Sequence, residues 1–172
     1  MTPSDYAAKV VAVLREKHIL RGFLAAFCLL LSAPAAFASP ASLNPVEAGL
    51  LASVNQVRAA NGLHPLSIDP TLVRAARSHS LDMLRHDYFA HGDFVSRMLS
   101  FNAHGPMVGE NLAWGAGTYA SPAVVIREWL QSPEHRRNLL RPGWTRIGIG
   151  ALTGGFLGHG GATVFTADFA GR

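Results

Sequence analysis

The sequence predicts an α+β fold. Amphipathic helical patterns with their own start and stop signals run from about residue 44 to residue 141, and two alternating strand segments joined by a glycine-rich stretch close the chain. A third observation limits where that fold begins, because the first 38 of the 172 residues have a different character.

That leading part has the three regions of a secretion signal. Arg15, Lys17 and Arg21 form a basic stretch, Gly22 to Leu31 is an uninterrupted apolar run, and Ala36-Phe37-Ala38 offers small residues to a signal peptidase. The run is shorter than the roughly 20 apolar residues a membrane span needs, and Pro34 blocks its extension. The expected organisation is therefore a signal peptide over residues 1–38, cleaved near Ala38/Ser39, and one domain over residues 39–172. A retained anchor is the alternative, and no stable span is expected once cleavage has occurred. Cys28 sits inside the apolar run behind Phe27, which argues against lipid attachment. It is the single cysteine, so residues 39–172 hold neither a disulfide nor a thiolate nucleophile. A chain of that length can bury roughly two-thirds of its unfolded surface, and its core has to supply its stability. The expected location is outside the cytoplasm, secreted or periplasmic, and the chain is expected to be monomeric.

Each element has a local reason. Asn44-Pro45-Val46-Glu47 opens the first helix, with Asn44 as cap, Pro45 at the first helical position and Glu47 closing a capping box. Val46, Leu50, Val54 and Val57 share a face, and Asn61-Gly62 ends the pattern. After an extended piece, Asp69-Pro70 repeats the start, and Leu72, Ala76, His79 and Met83 line up through about Asp87. A shorter helix runs from Gly92-Asp93 through Met98 and Phe101, after which His104-Gly105-Pro106 and Gly109 break the period. Ser121 and Pro122 start a helix through Gln131 with Val125, Ile126, Trp129 and Leu130 as its stripe. Ser132-Pro133 re-caps a short last turn ending at Arg141-Pro142-Gly143. Arg146 to Leu152 and Ala162 to Phe169 alternate as strands, with the glycine-rich GGFLGHGG read as the hairpin loop.

Charge excludes one class of function. The formal net charge is +4, yet both lysines lie in the leader, and no basic run beyond it exceeds Arg136-Arg137. Nothing resembles a stripe that tracks a phosphate backbone, so nucleic acid is not expected as a partner.

Of the eight histidines, all but His18 lie beyond residue 38. His79 falls on an apolar helix face and reads as a hydrogen-bonded core residue. His64, His86, His104 and His159 sit in loops or at a polar helix end, where solvation is the default. His91 leaves a helix through Tyr88-Phe89-Ala90, an aromatic pair able to anchor the loop. Glu110 lies among apolar residues and glycines in Gly109-Glu110-Asn111-Leu112-Ala113-Trp114, and once buried it needs a partner or a raised pKa. His135 follows a helix start, where the dipole favours a neutral, metal-binding ring. Two histidines and a carboxylate from separate segments could form an open metal site or an acid–base pair, although spacing alone does not bring them together.

These residues, in order, carry a resemblance. Phe89-Ala90-His91, Gly109-Glu110-Asn111-Leu112-Ala113, Glu128-Trp129-Leu130-Gln131-Ser132-Pro133-Glu134-His135-Arg136-Arg137-Asn138-Leu139-Leu140 and Ile147-Gly148-Ile149-Gly150 are together similar to the CAP family. That family comprises the cysteine-rich secretory, antigen 5 and pathogenesis-related 1 proteins, also called SCP-like, and the match lies nearest its bacterial branch. It covers residues 46 to 170. The resemblance implies a three-layer α-β-α sandwich with a small antiparallel sheet, and a cleft where two histidines and two acidic residues gather and a divalent cation can bind. His91, Glu110 and His135 match three of those positions. The fourth, an acid three residues after the tryptophan, is Ser132 here, with Glu128 or Glu134 as the candidate replacement. The cation implied is one zinc held by His91 and His135, with no organic cofactor.

Two functions follow as expectations. The first is an extracytoplasmic binding or scaffold module holding a lipid-like, glycan or peptide ligand from outside the cell or its envelope. The second is a metal-assisted, peptidase-like hydrolase using His91 and His135 with Glu110 as general base. The lack of a recognisable nucleophile elbow, and of any cysteine beyond residue 38, speaks against covalent catalysis, and binding is preferred because one fold hosts several roles.

Overall fold

The computed structural model describes residues 42–171; the leader lies outside them. In chain order the elements are α1 (Pro45–Ala60), β1 (Ser67–Ile68), α2 (Pro70–His86), α3 (Phe94–Ser100), β2 (Met107–Ala116), a 3-10 turn (Gly117–Ala120), α4 (Pro122–Gln131), α5 (Pro133–Leu139), β3 (Trp144–Phe156) and β4 (His159–Gly171). The sheet order is β1-β3-β4-β2, with β1 parallel to β3 and the other pairings antiparallel.

The helix starts follow their caps. Asn44 and Glu47 form the expected capping box, and Asp69 accepts from the amides of Thr71 and Leu72. Ser121 accepts from Val124, whereas Ser132 stands at the start of α5 without a side-chain capping bond. Glu47 is more than a cap. It is fully buried, its oxygens receive Arg77 Nε at 2.8 Å and Nη2 at 2.5 Å, and the Ala151 amide donates to it at 3.3 Å. One carboxylate thus joins α1, α2 and β3.

Two helical layers enclose the sheet. α1, α4 and α5 cover one face, where Leu50, Val54, Trp129, Ile147, Ile149, Phe165 and Phe169 form the main core. α2 covers the other. Alternation in Ile147-Gly148-Ile149-Gly150 explains the fit: the isoleucines enter the main core, and the glycines let α2 lie directly on the sheet. A Cβ at Gly148 would stand 2.0 Å from the Leu72 carbonyl carbon. Arg58, buried without a carboxylate partner among the described residues, donates to the carbonyls of His64, Leu139 and Arg141 and ties α1 to α5 and the segment after it.

Two expectations need correction. Met107–Ala116 is a strand, not a break between helices. Gly109 and Asn111 disturb its alternation because β2 is an edge strand whose side chains and outer carbonyls bind helices. The glycine-rich stretch is also mostly strand. The turn is only Leu157-Gly158, with φ of 47° and 80°, the paired positive values that suit a two-residue hairpin.

Candidate functional site

Glu110 is the centre of the site. Its position on β2 is opposite Asp168 on β4, and Gly148 on β3 is opposite Asp168 in turn, so both carboxyl groups lie on the α2 face of the sheet. The Glu110 side chain is 2 % exposed. Oε1 pairs with His91 Nδ1 at 2.7 Å, Oε2 receives Arg97 Nη2, and His79 Nε2 stands 3.9 Å away. Glu110 therefore has the partners its burial requires.

Each partner is placed by its own segment. His79, buried on α2, hydrogen-bonds the Ala90 carbonyl at 3.0 Å and so holds the chain just before His91. The core reading of His79 holds, with the addition that it supports the site. Burial pulls its pKa down against the pull of Glu110. Tyr88 Oη donates to Asp82 at 2.5 Å, which fixes the other side of the same turn. Arg97, from α3, also donates to the His91 carbonyl at 3.1 Å. With Nδ1 engaged, the exposed His91 ring makes no bond through Nε2 among the described residues.

His135 approaches from the opposite layer around the open edge of β2. Asn111 donates to its carbonyl at 3.0 Å, and Asn138 donates to the Glu110 carbonyl at 3.0 Å and to Asn111 Oδ1 at 2.9 Å. Trp129 Nε1 donates to the Leu112 carbonyl at 2.8 Å. Carbonyls that an edge strand would leave unpaired thus fasten α4 and α5. The His135 pKa is lowered, first by burial and then by the charge of nearby His91. The neutral ring expected from the helix dipole is kept neutral mainly by desolvation.

Along the same edge runs a groove of about 720 Å³. Phe89, Leu112, Trp114, Tyr119, Val124, Val125 and Trp129 make its walls, and Glu128, Ser132, His135 and His159 are its polar groups. Trp114 lies 5.5 Å from Phe156 and 5.4 Å from His159, ring centre to ring centre. Glu128 is exposed and pairs with Arg127 at 3.2 Å, while Glu134 is solvent-facing and acts on His135 only by charge. Of the sequence candidates, His91 pairs with Glu110, and His135 is near enough to His91 to feel its charge; Ser132 and Glu128 line the groove with His135; Glu134 stays outside. Among the described residues no three His, Cys, Asp or Glu side chains are arranged to hold a metal ion.

Sequence reasoning missed Arg97, Asp168, Trp114 and His159. Only Asp168, a carboxylate in the strand Phe165-Thr166-Ala167-Asp168-Phe169, had a signal of its own. It is fully buried, and both its oxygens lack a hydrogen-bond partner among the described residues.

Residues 51–169 match the CAP family, the cysteine-rich secretory protein family. The chain belongs to the CAP family. This CAP chain is 34 % identical over 139 residues to the Bacillus subtilis (strain 168) protein YkwD, covering 78 % of itself and 50 % of YkwD. It resembles the crystal structure of an extracellular protein containing an SCP domain from Bacillus anthracis at 25 % identity and a TM-score of 0.62, covering 76 % of itself and 45 % of that chain. An outer surface protein of Borrelia burgdorferi shares the fold at 23 % identity and a TM-score of 0.61, with 72 % of this chain and 90 % of that one covered. The CAP chain thus spans half or less of the length of the curated relatives it matches. No described helix is long and apolar enough to cross a membrane.

Proposed function

We propose that this CAP domain is an extracytoplasmic binding or scaffold module whose groove along β2 holds a ligand with an apolar body. The observation that carries the reading is the groove wall of Phe89, Leu112, Trp114, Tyr119 and Val124, ending at the polar group of Glu128, Ser132 and His135. An apolar cleft with a few convergent polar groups is the usual form of a ligand site. A lipid-like chain or the apolar side chains of a peptide fit that wall better than a glycan, whose hydroxyls need partners along their whole length. The signal-like leader, and the description of the Bacillus anthracis relative as extracellular, support a location outside the cytoplasm.

Trp114 and Trp129 line the groove, so ligand entry is readable as a change in tryptophan emission. Titration with a monomeric fatty acid and with apolar peptides is expected to give a saturable change that Val124→Trp, filling the half-buried wall, abolishes. No change with either class, or equal binding by the filled variant, would refute the reading.

A second reading, the metal-assisted hydrolase, has one observation in its favour: Glu110 holds His91 through Nδ1 and leaves Nε2 available beside a His135 kept neutral. His91 and His135 would hold the cation, which when bound supplies Lewis-acid activation of water. Glu110, with both oxygens engaged, would then serve as the orienting carboxylate and not as the base.

A further inference from the structure

Neither reading uses Asp168, although it is the most enclosed titratable group of the site. Its exposure is zero and neither carboxyl oxygen has a hydrogen-bond partner among the described residues. The charged and titratable groups that face it are few. Glu110 stands directly across from it on β2, Arg97 reaches in from α3, and His79 on α2 lies beyond Glu110. β3 presents only Gly148, and α2 lies so close over that glycine that no side chain fits between.

Charge counting then limits the state of the pair. Two carboxylates would share one guanidinium, whose Nη2 is engaged by Glu110 and Nη1 by the His91 carbonyl, and whose buried Nε makes no bond to Asp168 or to any other group among the described residues. A second ion without a donor is the costliest arrangement a protein interior can hold, whereas a protonated carboxyl has one donor to offer. Glu110 is the acceptor within reach: a carboxylate has about four lone-pair positions, and only His91 and Arg97 donate to it among the described residues.

We propose that Asp168 is a neutral carboxylic acid whose O–H donates to Glu110, which makes it a positioning residue for the Glu110–His91 pair beside the groove. Burial, and after it the charge of Glu110, push the Asp168 carboxyl well above the usual carboxylate range, in the same direction as the geometry. The position of Glu110 is then set from three sides, by Arg97, by His91 and by the acid beneath it. The inference deepens the proposed function, since it matters to binding only if His91 meets the ligand. Its test does not depend on any ligand.

The whole protein, labelled with carbon-13 at aspartate side-chain carboxyls, is examined by NMR at pH 7. One resonance is expected at the position of a protonated acid, and it is expected to vanish in Asp168→Asn. If every aspartate resonates as an ionised carboxylate, the proposal is overturned. The positioning role is read from the downfield Nδ1–H proton of His91, assigned by its loss in His91→Gln. Asp168→Asn, a neutral side chain with a donor, is expected to keep that signal, and Asp168→Leu to broaden or lose it. Loss in the asparagine variant, or an unchanged signal in the leucine variant, would overturn the positioning role. Should the leucine variant fail to fold, the carboxyl resonance of the parent and the asparagine variant decide. A failure of apolar ligands to bind leaves these readouts intact, so the two ideas fail separately.

Discussion

Replacing Glu110 by alanine removes the acceptor around which the site is assembled, and its cost can be worked from the contacts. The Arg97 side chain is 11 % exposed, so the guanidinium would be left largely enclosed without its carboxylate. Breaking a buried pair by removing one partner costs about 3–5 kcal/mol. Slight exposure of Arg97 places the expectation near the lower end, and the bond to the half-exposed His91 adds little. A loss of about 3 kcal/mol is large against a typical total of about 5–15 kcal/mol. Urea unfolding followed by tryptophan emission measures it, with Glu128→Ala on an exposed, screened pair as the control, expected within about 0.5 kcal/mol of the parent. The double variant Glu110→Leu with Arg97→Met is expected to recover part of the loss, because replacing both partners by apolar groups removes the stranded charge. Equal midpoints for Glu110→Ala and the parent, or a double variant worse than the sum of its parts, would refute the reasoning.

Other outcomes follow from the same structure. Burial holds the pKa values of His79 and His135 down, so the folded state resists their protonation; the stability they contribute is full above about pH 6.5 and is lost as pH falls through their folded values. Melting curves from pH 7.5 to 5 should show that decline, and His79→Gln should flatten it; an unchanged slope would mean that ring charges freely. Asp168 acts in the opposite sense, its raised value removing stability as pH rises. Gly148→Ala should cost about 3 kcal/mol or prevent folding, because α2 backbone occupies the space of the added methyl; a parent-like melting temperature would contradict that packing. Zinc affinity by calorimetry should fall as pH drops through the histidine range, be abolished by His91→Ala or His135→Ala, and survive His79→Ala; a parent that binds no zinc ends the hydrolase reading. Protein recovered from producing cells should begin at or within a few residues of Ser39, and membrane-bound material whose intact mass includes Cys28 would overturn the leader as a cleaved signal.

Several elements were legible because their causes are local. Asn44, Asp69 and Ser121 announce helix starts through groups two or three residues away, and the stripes of Leu50, Val54, Val125 and Trp129 repeat with the helical period. Ile147-Gly148-Ile149-Gly150 likewise shows its two faces by alternation. β2 was not legible. Its Glu110 and Asn111 look like interruptions until Arg97, His91 and Asn138 are known to receive them. Arg97 reads as an ordinary helix-end charge, and its inward direction depends on how α3 lies beside β2.

By itself, then, the sequence determined the helix boundaries, the closing hairpin and the family, and it put forward His91, Glu110 and His135 as candidate site residues, since each is written in neighbouring residues or in an ordered motif. The tertiary structure alone decided that Asp168 lies opposite Glu110, that His79 holds the loop before His91, and that an apolar groove follows the edge of β2. The reason is range. Strand register and helix layering are set by the burial of surfaces far apart in the chain, and a pairing such as Glu110 with Asp168 exists only once that burial has chosen one register over its neighbours.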